Sequence, residues 1–346
     1  MVKGTSRKTS STKLPLLGLT MGDPAGIGPE VIAKVVAGQA LRRICYPIVI
    51  GSLPVMERTI KTLRLNLKAF RVDGHEPLPR RSDTIAVLDP LDTPLTRFTP
   101  GVAAAETGAA SVAFIKKGVE LARIGCIDGI VTAPINKEAI NMGGCRYPGH
   151  TELLADLTQA NESGMMIVGG PLRIMFVTTH VAIKDLPAHL TQAKIEKSIR
   201  LAQMALTTHF GIKKPKIGVA ALNPHAGEHG LFGDDETRVI LPASRATQAQ
   251  GILASDPLPA DTLFGKAIKG QYDGIVAMYH DQGLIPLKLV AFGTCVNVTV
   301  GLPIIRTSVD HGTAFDIVGK GIADPGSLLE AVKLAAQIAN NRPSRG

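Results

Sequence analysis

Residues 14–36, LPLLGLTMGDPAGIGPEVIAKVV, contain the pattern that decides the fold. The apolar run at 14–20 predicts a buried strand, and the glycine-rich segment at 22–28 predicts a tight turn. Pro29 suits the first turn of a helix, which we expect to continue to about Val36. A strand, a short turn and a helix in this order are typical of α/β proteins with parallel strands.

The same alternation of strands and helices continues along the 346 residues. Further strands are predicted at 47–51, 84–88, 127–132, 174–177, 217–222 and 275–278, and helices at 103–124, 153–158, 191–210, 235–249 and 328–340. Trp is absent and aromatic residues make up only 4% of the chain, so Val, Ile, Leu and Ala have to form the core. We therefore predict an α/β fold with a mainly parallel sheet and helices on both faces.

Composition and charge argue against several classes of protein. The net charge is +9, but six basic residues lie at the two ends of the chain, and the few aromatic residues provide no platform for stacking bases. No apolar run is long enough to cross a membrane, and residues 1–13 are not followed by the apolar stretch of a signal peptide. We expect this basic tail to be disordered, with a transit peptide as the alternative. Four widely spaced cysteines favour reduced thiols in a cytoplasmic protein. From the charge distribution and the apolar runs, we expect neither a nucleic-acid partner nor a membrane partner.

Three histidines each follow one of the predicted strands. They are His180 after 174–177, His225 after 217–222 and His280 after 275–278. The carboxyl ends of parallel strands meet at one edge of a sheet, where α/β proteins bind ligands. Three neutral imidazoles there would hold a divalent cation and leave positions open for a substrate. Each histidine alone also has a structural alternative, because a strand-end histidine often serves only its loop.

Other polar residues cluster in predicted loops. His150 and Thr151 precede a predicted helix, where backbone N–H groups can bind an anion; the structural alternative is that Thr151 is only the N-cap. Asp261 adds a carboxylate. Lys288 and Arg306 suit a substrate that carries phosphate or carboxylate, unless they are ordinary surface charges.

Residues 310–325, DHGTAFDIVGKGIADP, form the most specific motif. They resemble the adenosine-binding loop of the isopropylmalate and isocitrate dehydrogenase superfamily, in which such a run surrounds adenine and ribose. By this resemblance, His311, Gly312, Asp316 and Ile317 bind a nicotinamide dinucleotide. A carboxylate at Asp316 can accept a hydrogen bond from a ribose 2′-hydroxyl and would repel a 2′-phosphate, so NAD is favoured over NADP.

Together with the loop at 22–30 and the three histidine motifs, this run makes the chain similar to the PdxA family from about residue 16 to 338. The resemblance implies two α/β/α domains around a mainly parallel sheet, as in isocitrate and isopropylmalate dehydrogenases. It also implies a homodimer with the active site at the subunit interface. We expect the first, nucleotide-side domain at 14–128 plus 285–346, and the second, with the metal and the dimer contacts, at 129–284.

The resemblance also implies roles for individual residues. The residues expected to bind a divalent metal (zinc, cobalt or magnesium), with the set completed across the dimer, are His180, His225 and His280. The residues expected to bind the substrate are His150, Thr151, Lys288, Asn297 and Arg306. The candidates for proton transfer are Lys288 and Asp261.

The activity implied is the NAD- and metal-dependent oxidation of 4-phosphooxy-L-threonine in pyridoxal phosphate biosynthesis. The product, 2-amino-3-oxo-4-(phosphooxy)butanoate, has a carbonyl β to its carboxylate and loses CO₂ to give 3-amino-2-oxopropyl phosphate. A rival is a subgroup that resembles D-threonate or D-erythronate 4-phosphate dehydrogenases, although residues 258–264 favour the biosynthetic enzyme. A phosphate acetyltransferase-like protein without nicotinamide is the alternative from another class.

Overall fold

A computed structural model describes residues 14–38, 40–73, 83–147 and 149–342, so the predicted tail at 1–13 lies outside the described residues. The strands are β1 Leu16–Thr20, β2 Tyr46–Ile50, β3 Lys68–Arg71, β4 Thr84–Leu88, β5 Gly129–Thr132, β6 Gly164–Gly169, β7 Leu172–Phe176, β8 Lys216–Ala220, β9 Leu253–Leu258, β10 Gly274–Ala277, β11 Val296–Val300 and β12 Arg306–Val309. The α-helices are α1 Gly28–Ala37, α2 Leu53–Thr62, α3 Ala105–Arg123, α4 Lys137–Met142, α5 His150–Thr158, α6 Leu186–His189, α7 Gln192–Thr208, α8 Leu241–Ala249, α9 Ala260–Ile268, α10 His280–Ala291 and α11 Gly326–Asn341. No helix among the described residues is long and apolar enough to span a bilayer.

The strands form a single 12-stranded sheet in the order β3-β4-β2-β1-β5-β12-β11-β6-β7-β10-β8-β9. The described strand pairs are parallel except for three, β12 with β11, β11 with β6, and β6 with β7. The predicted α/β class with a mainly parallel sheet is therefore confirmed. Because three antiparallel pairs separate the two halves, β7, β10, β8 and β9 run opposite to β1, β2, β4 and β5.

Every strand predicted from the sequence is present, as are α1, α3, α5, α7, α8 and α11. Strands β3, β6, β9, β11 and β12 are not predicted by the sequence pattern. The alternative in which Thr151 is only the N-cap of α5 is wrong, because Leu153 N–H donates to Gly149 O (3.3 Å) and Gly149 is the N-cap. Thr151 therefore lies inside the first turn. The predicted division into two domains stays a prediction; β5, at its boundary, pairs with both β1 and β12.

Alternate residues of the central strands project from one face of the sheet. Thr132 on β5 lies in register with Ser308 on β12, and Ser308 lies in register with Asn297 on β11. Residues in register share a face, and so do residues two apart on one strand. Arg306, two residues before Ser308, and Thr299, two residues after Asn297, therefore belong to the same polar surface at the centre of the sheet.

Candidate active site

A cleft of about 600 Å³ contains this polar surface. Its lining includes the segment after β5, the start of α5, residues 308, 309, 311 and 312, residues 176–181 at the end of β7, and one side of α7. Both halves of the sheet contribute. The cleft therefore lies where the strand direction reverses.

Arg306 lies on the floor of the cleft and is only 2% exposed. Its Nη1 donates to Thr299 Oγ1 (2.9 Å), and its Nη2 donates to Thr132 Oγ1 (2.8 Å). Its Nε makes no hydrogen bond with any described residue. Burial lowers the pKa of Arg306 to about 9, so it is still a cation at pH 7. A buried cation without a carboxylate partner is costly, and a bound carboxylate or phosphate would relieve that cost through its hydrogen bonds.

Two more polar atoms of the cleft are buried without a hydrogen-bond partner among the described residues: Nε2 of His150 and Oδ1 of Asn297. Burial, and then the charge of Arg306, hold the pKa of His150 well below its usual value. The imidazole is therefore neutral at pH 7. Buried polar atoms almost always find a partner, so unpaired ones in a cleft indicate bonds to a ligand. Thr151 lines the same cleft.

The walls of the cleft carry further positive charge. Lys137 at the start of α4 and Lys194 on α7 are exposed, and Lys197 on α7 is half-buried. Lys194 Nζ donates to the carbonyl of His189 (3.1 Å), whereas Lys137 and Lys197 form no ion pair with a described residue. Glu152 is the acidic side chain among the described lining residues. The cleft therefore favours an anionic ligand.

His180 and His280 lie close together where β7 and β10 end side by side. Thr178 donates to Met278 O through both its backbone N–H (3.2 Å) and its Oγ1 (2.7 Å), which joins the two strand ends. The ring centroids of the two histidines are 5.8 Å apart. His280 Nδ1 lies 2.6 Å from Asp281 Oδ1, an arrangement that orients an imidazole for metal binding through its other nitrogen.

The pKa of His180 also suits a metal ligand. Burial lowers it, the charges of Lys137 and His280 lower it further, and Glu152 opposes this shift. The ring is therefore neutral at pH 7, as metal binding requires. Imidazole nitrogens favour zinc or cobalt over magnesium.

His225 is not brought to this pair within one chain. Its ring packs against Phe232, with centroids 6.1 Å apart, beside a second cavity of about 300 Å³. Residues 225–229 all have φ between 41° and 79°, and four of them carry a Cβ, which costs about 1–3 kcal/mol each. Across the described ranges, no three His, Cys, Asp or Glu side chains form a metal site. The three-histidine set stays a prediction.

Neither candidate for proton transfer is among the described residues that line the cleft. Lys288, on α10, forms an ion pair with Asp310 (Nζ to Oδ2, 3.1 Å). Asp261 is exposed at the start of α9, where its Oδ1 accepts from Thr262 N–H (2.8 Å). Asp310 directly precedes the cleft-lining His311, so Lys288 lies next to the site, whereas nothing connects Asp261 to it.

The predicted nucleotide loop reaches the cleft at His311 and Gly312. Asp316 and Ile317 belong to a short 3₁₀ turn, Phe315–Ile317, beyond the described lining. The loop packs on the glycine-rich turn of the first βα unit, because Ile27 N–H donates to the carbonyl of Thr313 (3.0 Å). The predicted nucleotide loop and the glycine-rich turn are thus neighbours.

Sequence reasoning missed several residues that shape the site. Thr132 and Thr299 hold the guanidinium of Arg306, but a threonine in a strand has no local mark of such a role. Gln282, which is 9% exposed, accepts from Met278 N–H (2.7 Å) and donates to Ala221 O (2.6 Å). It joins the end of β10 to the end of β8. Its position two residues after His280 was the one available signal.

Comparisons with known proteins identify relatives of this chain. The family model described as pyridoxal phosphate biosynthetic protein PdxA matches residues 43–335. A 4-hydroxythreonine-4-phosphate dehydrogenase of Desulforapulum autotrophicum is 45% identical over 339 residues, which cover 93% of this chain and 95% of that protein. A D-threonate 4-phosphate dehydrogenase of Cupriavidus necator is 46% identical over 341 residues, covering 96% of this chain and 99% of that one.

A solved structure gives the same result for the fold. The crystal structure of a 4-hydroxythreonine-4-phosphate dehydrogenase from Burkholderia phymatum matches with a TM-score of 0.85 and 45% identity, covering 94% of this chain and 99% of that one. The family model spans most of the chain, and the identities extend over nearly its full length. The chain therefore belongs to the PdxA family.

Proposed function

We propose that this protein is an NAD- and divalent-metal-dependent dehydrogenase that oxidises 4-phosphooxy-L-threonine to 2-amino-3-oxo-4-(phosphooxy)butanoate. That product then loses CO₂ to give 3-amino-2-oxopropyl phosphate, in pyridoxal phosphate biosynthesis. The observation that carries the proposal is the buried Arg306, which has no carboxylate partner among the described residues, on the floor of a cleft with lysines on its walls. The substrate carries a carboxylate and a phosphate, and the names of several relatives support the same activity.

Arg306, His150 and Asn297 would bind and orient this substrate. The guanidinium offers a rigid donor to one anionic group, and Lys137 and Lys197 attract the other. The buried Oδ1 of Asn297 can accept a hydrogen bond from a hydroxyl or ammonium group. Thr151 adds a hydroxyl in the first turn of α5.

His180 and His280 would hold the metal, with His225 supplied by a partner subunit. Two adjacent imidazoles, one of them oriented by Asp281, fit zinc or cobalt, and magnesium is the third candidate. When bound, the metal would lower the pKa of the substrate hydroxyl, and the nicotinamide would accept the hydride. His311, Gly312, Asp316 and Ile317 would bind the NAD, with NADP as the less favoured cofactor.

Lys288 is our candidate for proton transfer, and Asp261 is a weaker one. The ion pair with Asp310 fixes the ammonium of Lys288 beside His311. In that position a cation would stabilise the enolate left after CO₂ departs and return a proton to its carbon.

A homodimer with its active site at the subunit interface would account for two apolar surfaces. Helix α10, which begins at His280, exposes Ile285 (60%) and Leu289 (82%), and Phe292 directly after the helix is 83% exposed. The loop after His225 exposes Leu231 (73%) and Phe232 (48%). Apolar surface of this kind usually marks an interface, and a second copy could bring His225 to the pair that it does not reach within its own chain. The free cysteines among the described residues support a cytoplasmic location.

D-threonate or D-erythronate 4-phosphate is the alternative substrate, favoured by relatives of that activity that are equally similar to this chain. The experiment that separates the two measures NADH formation by zinc- or cobalt-loaded protein with 4-phosphooxy-L-threonine and with each sugar acid phosphate. We expect kcat/KM to be at least about tenfold higher for the amino substrate, because a site built to bind the substrate's ammonium group discriminates against an analogue that carries a hydroxyl in its place. A preference for either sugar acid would move the enzyme to catabolism. No NADH with any of them would contradict the proposal.

A further inference from the structure

The loop that carries His225 has a strained backbone that contacts with other residues must stabilise. Five consecutive residues, 225–229, adopt left-handed backbone conformations, which L-residues avoid. Such a conformation persists only where surrounding contacts impose it, and it is concentrated at functional sites. Buried contacts to this loop come from a residue about ten positions further along the chain.

That residue is Glu236, which is 3% exposed. Its Oε1 accepts from the backbone N–H groups of Leu222 and Asn223, both at 2.8 Å, and its Oε2 accepts from Asn223 Nδ2 at 3.1 Å. A Cβ on Gly227 would lie 2.7 Å from Oε2, so the turn is closed directly onto the carboxylate. Leu222 and Asn223, whose N–H groups bind Glu236, immediately precede Pro224 and His225.

The backbone around Glu236 is also unusual. It begins a π-helical turn, Glu236–Ile240, that leads into α8. Single π-helical turns are rare and occur frequently at functional sites, where they redirect a side chain. Here the turn places the carboxylate of Glu236 under the end of β8.

The segment that Glu236 binds is also connected to the start of α10, where His280 lies. Gln282 binds Ala221 O, one residue before Leu222, and Met278 N–H, two residues before His280. Glu236 and Gln282 therefore form a continuous buried connection from the His225 turn to the start of α10. Neither residue lines the large cleft among the described residues.

We propose that Glu236 is a positioning residue that sets the direction in which His225 is presented as a metal ligand. The proposal rests on the proposed function, in which His225 binds the metal. Both oxygens of the Glu236 carboxylate already accept hydrogen bonds from residues 222 and 223, and the side chain is buried, so we assign it a role that acts through the loop. Residues that orient a ligand in this way typically change metal affinity by 10–100-fold when they are replaced.

The test is the dissociation constant of Zn²⁺ or Co²⁺, measured by competition with a chelator, together with the visible absorption spectrum of bound Co²⁺. Glu236→Gln keeps the shape but turns an N–H₂ group toward the N–H donors that the carboxylate served. We expect metal affinity to fall about 10–100-fold and the Co²⁺ spectrum to change, at a temperature at which circular dichroism shows folded protein.

Asp273→Asn is the matched control. Asp273 Oδ2 also accepts from a backbone N–H of β8, that of Lys216 (2.7 Å), but at the opposite end of the strand. The Asp273→Asn substitution should lower the stability of the fold and change metal affinity by no more than about threefold. If Glu236→Gln does not fold, Asn223→Ala removes one contact of the same carboxylate and should weaken metal binding about 3–10-fold.

His225→Ala tests whether His225 is a metal ligand, independently of the role of Glu236. Wild-type affinity and spectrum in Glu236→Gln, with weakened binding in His225→Ala, would overturn the positioning role and leave the ligand assignment intact. Unchanged binding in His225→Ala would overturn the ligand assignment, and the positioning role with it.

Discussion

The floor and the walls of the cleft hold positive charge in opposite ways. Arg306 on the floor is buried and held by two threonine hydroxyls, and no carboxylate of the described part of the chain pairs with it. Lys137 and Lys194 on the walls are exposed, and Lys197 is half-buried. The floor cation is desolvated and preorganised before any ligand arrives, whereas the wall cations stay hydrated and mobile.

This difference teaches which charges decide binding. A buried charge acts at full strength on a group that fits it, and it acts at any salt concentration. Exposed charges attract anions over a distance but are screened by salt and are worth little one at a time. Replacements on the floor should therefore have large effects that are independent of salt, and replacements on the walls should have small effects that depend on it.

The largest effect is expected from Arg306→Lys. A lysine keeps the charge but cannot reach two threonines and an anion with a planar fork. We predict a loss of about 10³-fold in kcat/KM for the phosphorylated substrate, because a truncated buried pair costs several kcal/mol. Arg245→Lys is the control, since Arg245 is exposed in a surface pair with Asp256. A loss below about tenfold would mean that the floor does not bind the substrate.

A buried group away from the cleft should affect stability alone. His209 is 4% exposed, its Nδ1 has no partner among the described residues, and burial with the charge of Arg342 lowers its pKa to about 4. An unfolded chain protonates this ring near pH 6.5, so the unfolded state binds an extra proton between about pH 6.5 and 4. Stability is then fully present above pH 6.5 and falls by about 3 kcal/mol as the pH drops to 4.

Urea unfolding at pH 7.5 and pH 4 tests this prediction. In His209→Leu the loss of unfolding free energy between the two pH values should be about 3 kcal/mol smaller than in the wild type. The kcat/KM at pH 7.5 should not change. Equal pH dependence of stability in both proteins would show that the ring is not held neutral.

The smallest effect is expected from Lys197→Gln on the wall. We predict a KM about 3–10-fold higher at low salt with little change in kcat, and a difference that shrinks in about 0.5 M salt. Lys213→Gln, at an exposed position outside the described lining, should change neither. A salt-independent loss in Lys197→Gln would place this lysine in direct contact with the substrate instead.

The sequence predicted those parts of the molecule that depend on local pattern. Apolar runs such as 275–278 identified the strands, and the histidines after them were correctly placed at strand ends. Strand β12, RTSV, was not predicted because its Arg306, Thr307 and Ser308 are polar and interrupt the apolar run that identifies a buried strand; Arg306 and Ser308 line the cleft. The polar residues that line the cleft are therefore the ones that prevent this strand from being predicted.

The position of His225 could not be predicted for a different reason. Its left-handed turn follows Leu222 and Asn223, whose N–H groups donate to Glu236, and no pattern in residues 223–228 predicts a contact with a carboxylate about ten residues away. The strand ends of β7, β10 and β8 are adjacent as expected, yet one chain joins only His180 and His280. Backbone conformation beyond a strand depends on tertiary contacts that periodicity does not contain.

The most direct test of the central claim is the stoichiometry of NADH and CO₂ formed from 4-phosphooxy-L-threonine labelled at its carboxylate carbon. Metal-loaded protein with NAD should release one labelled CO₂ for each NADH, and EDTA should abolish both. Absence of NADH under these conditions, or NADH formation that is unaffected by removal of the metal, would contradict the account.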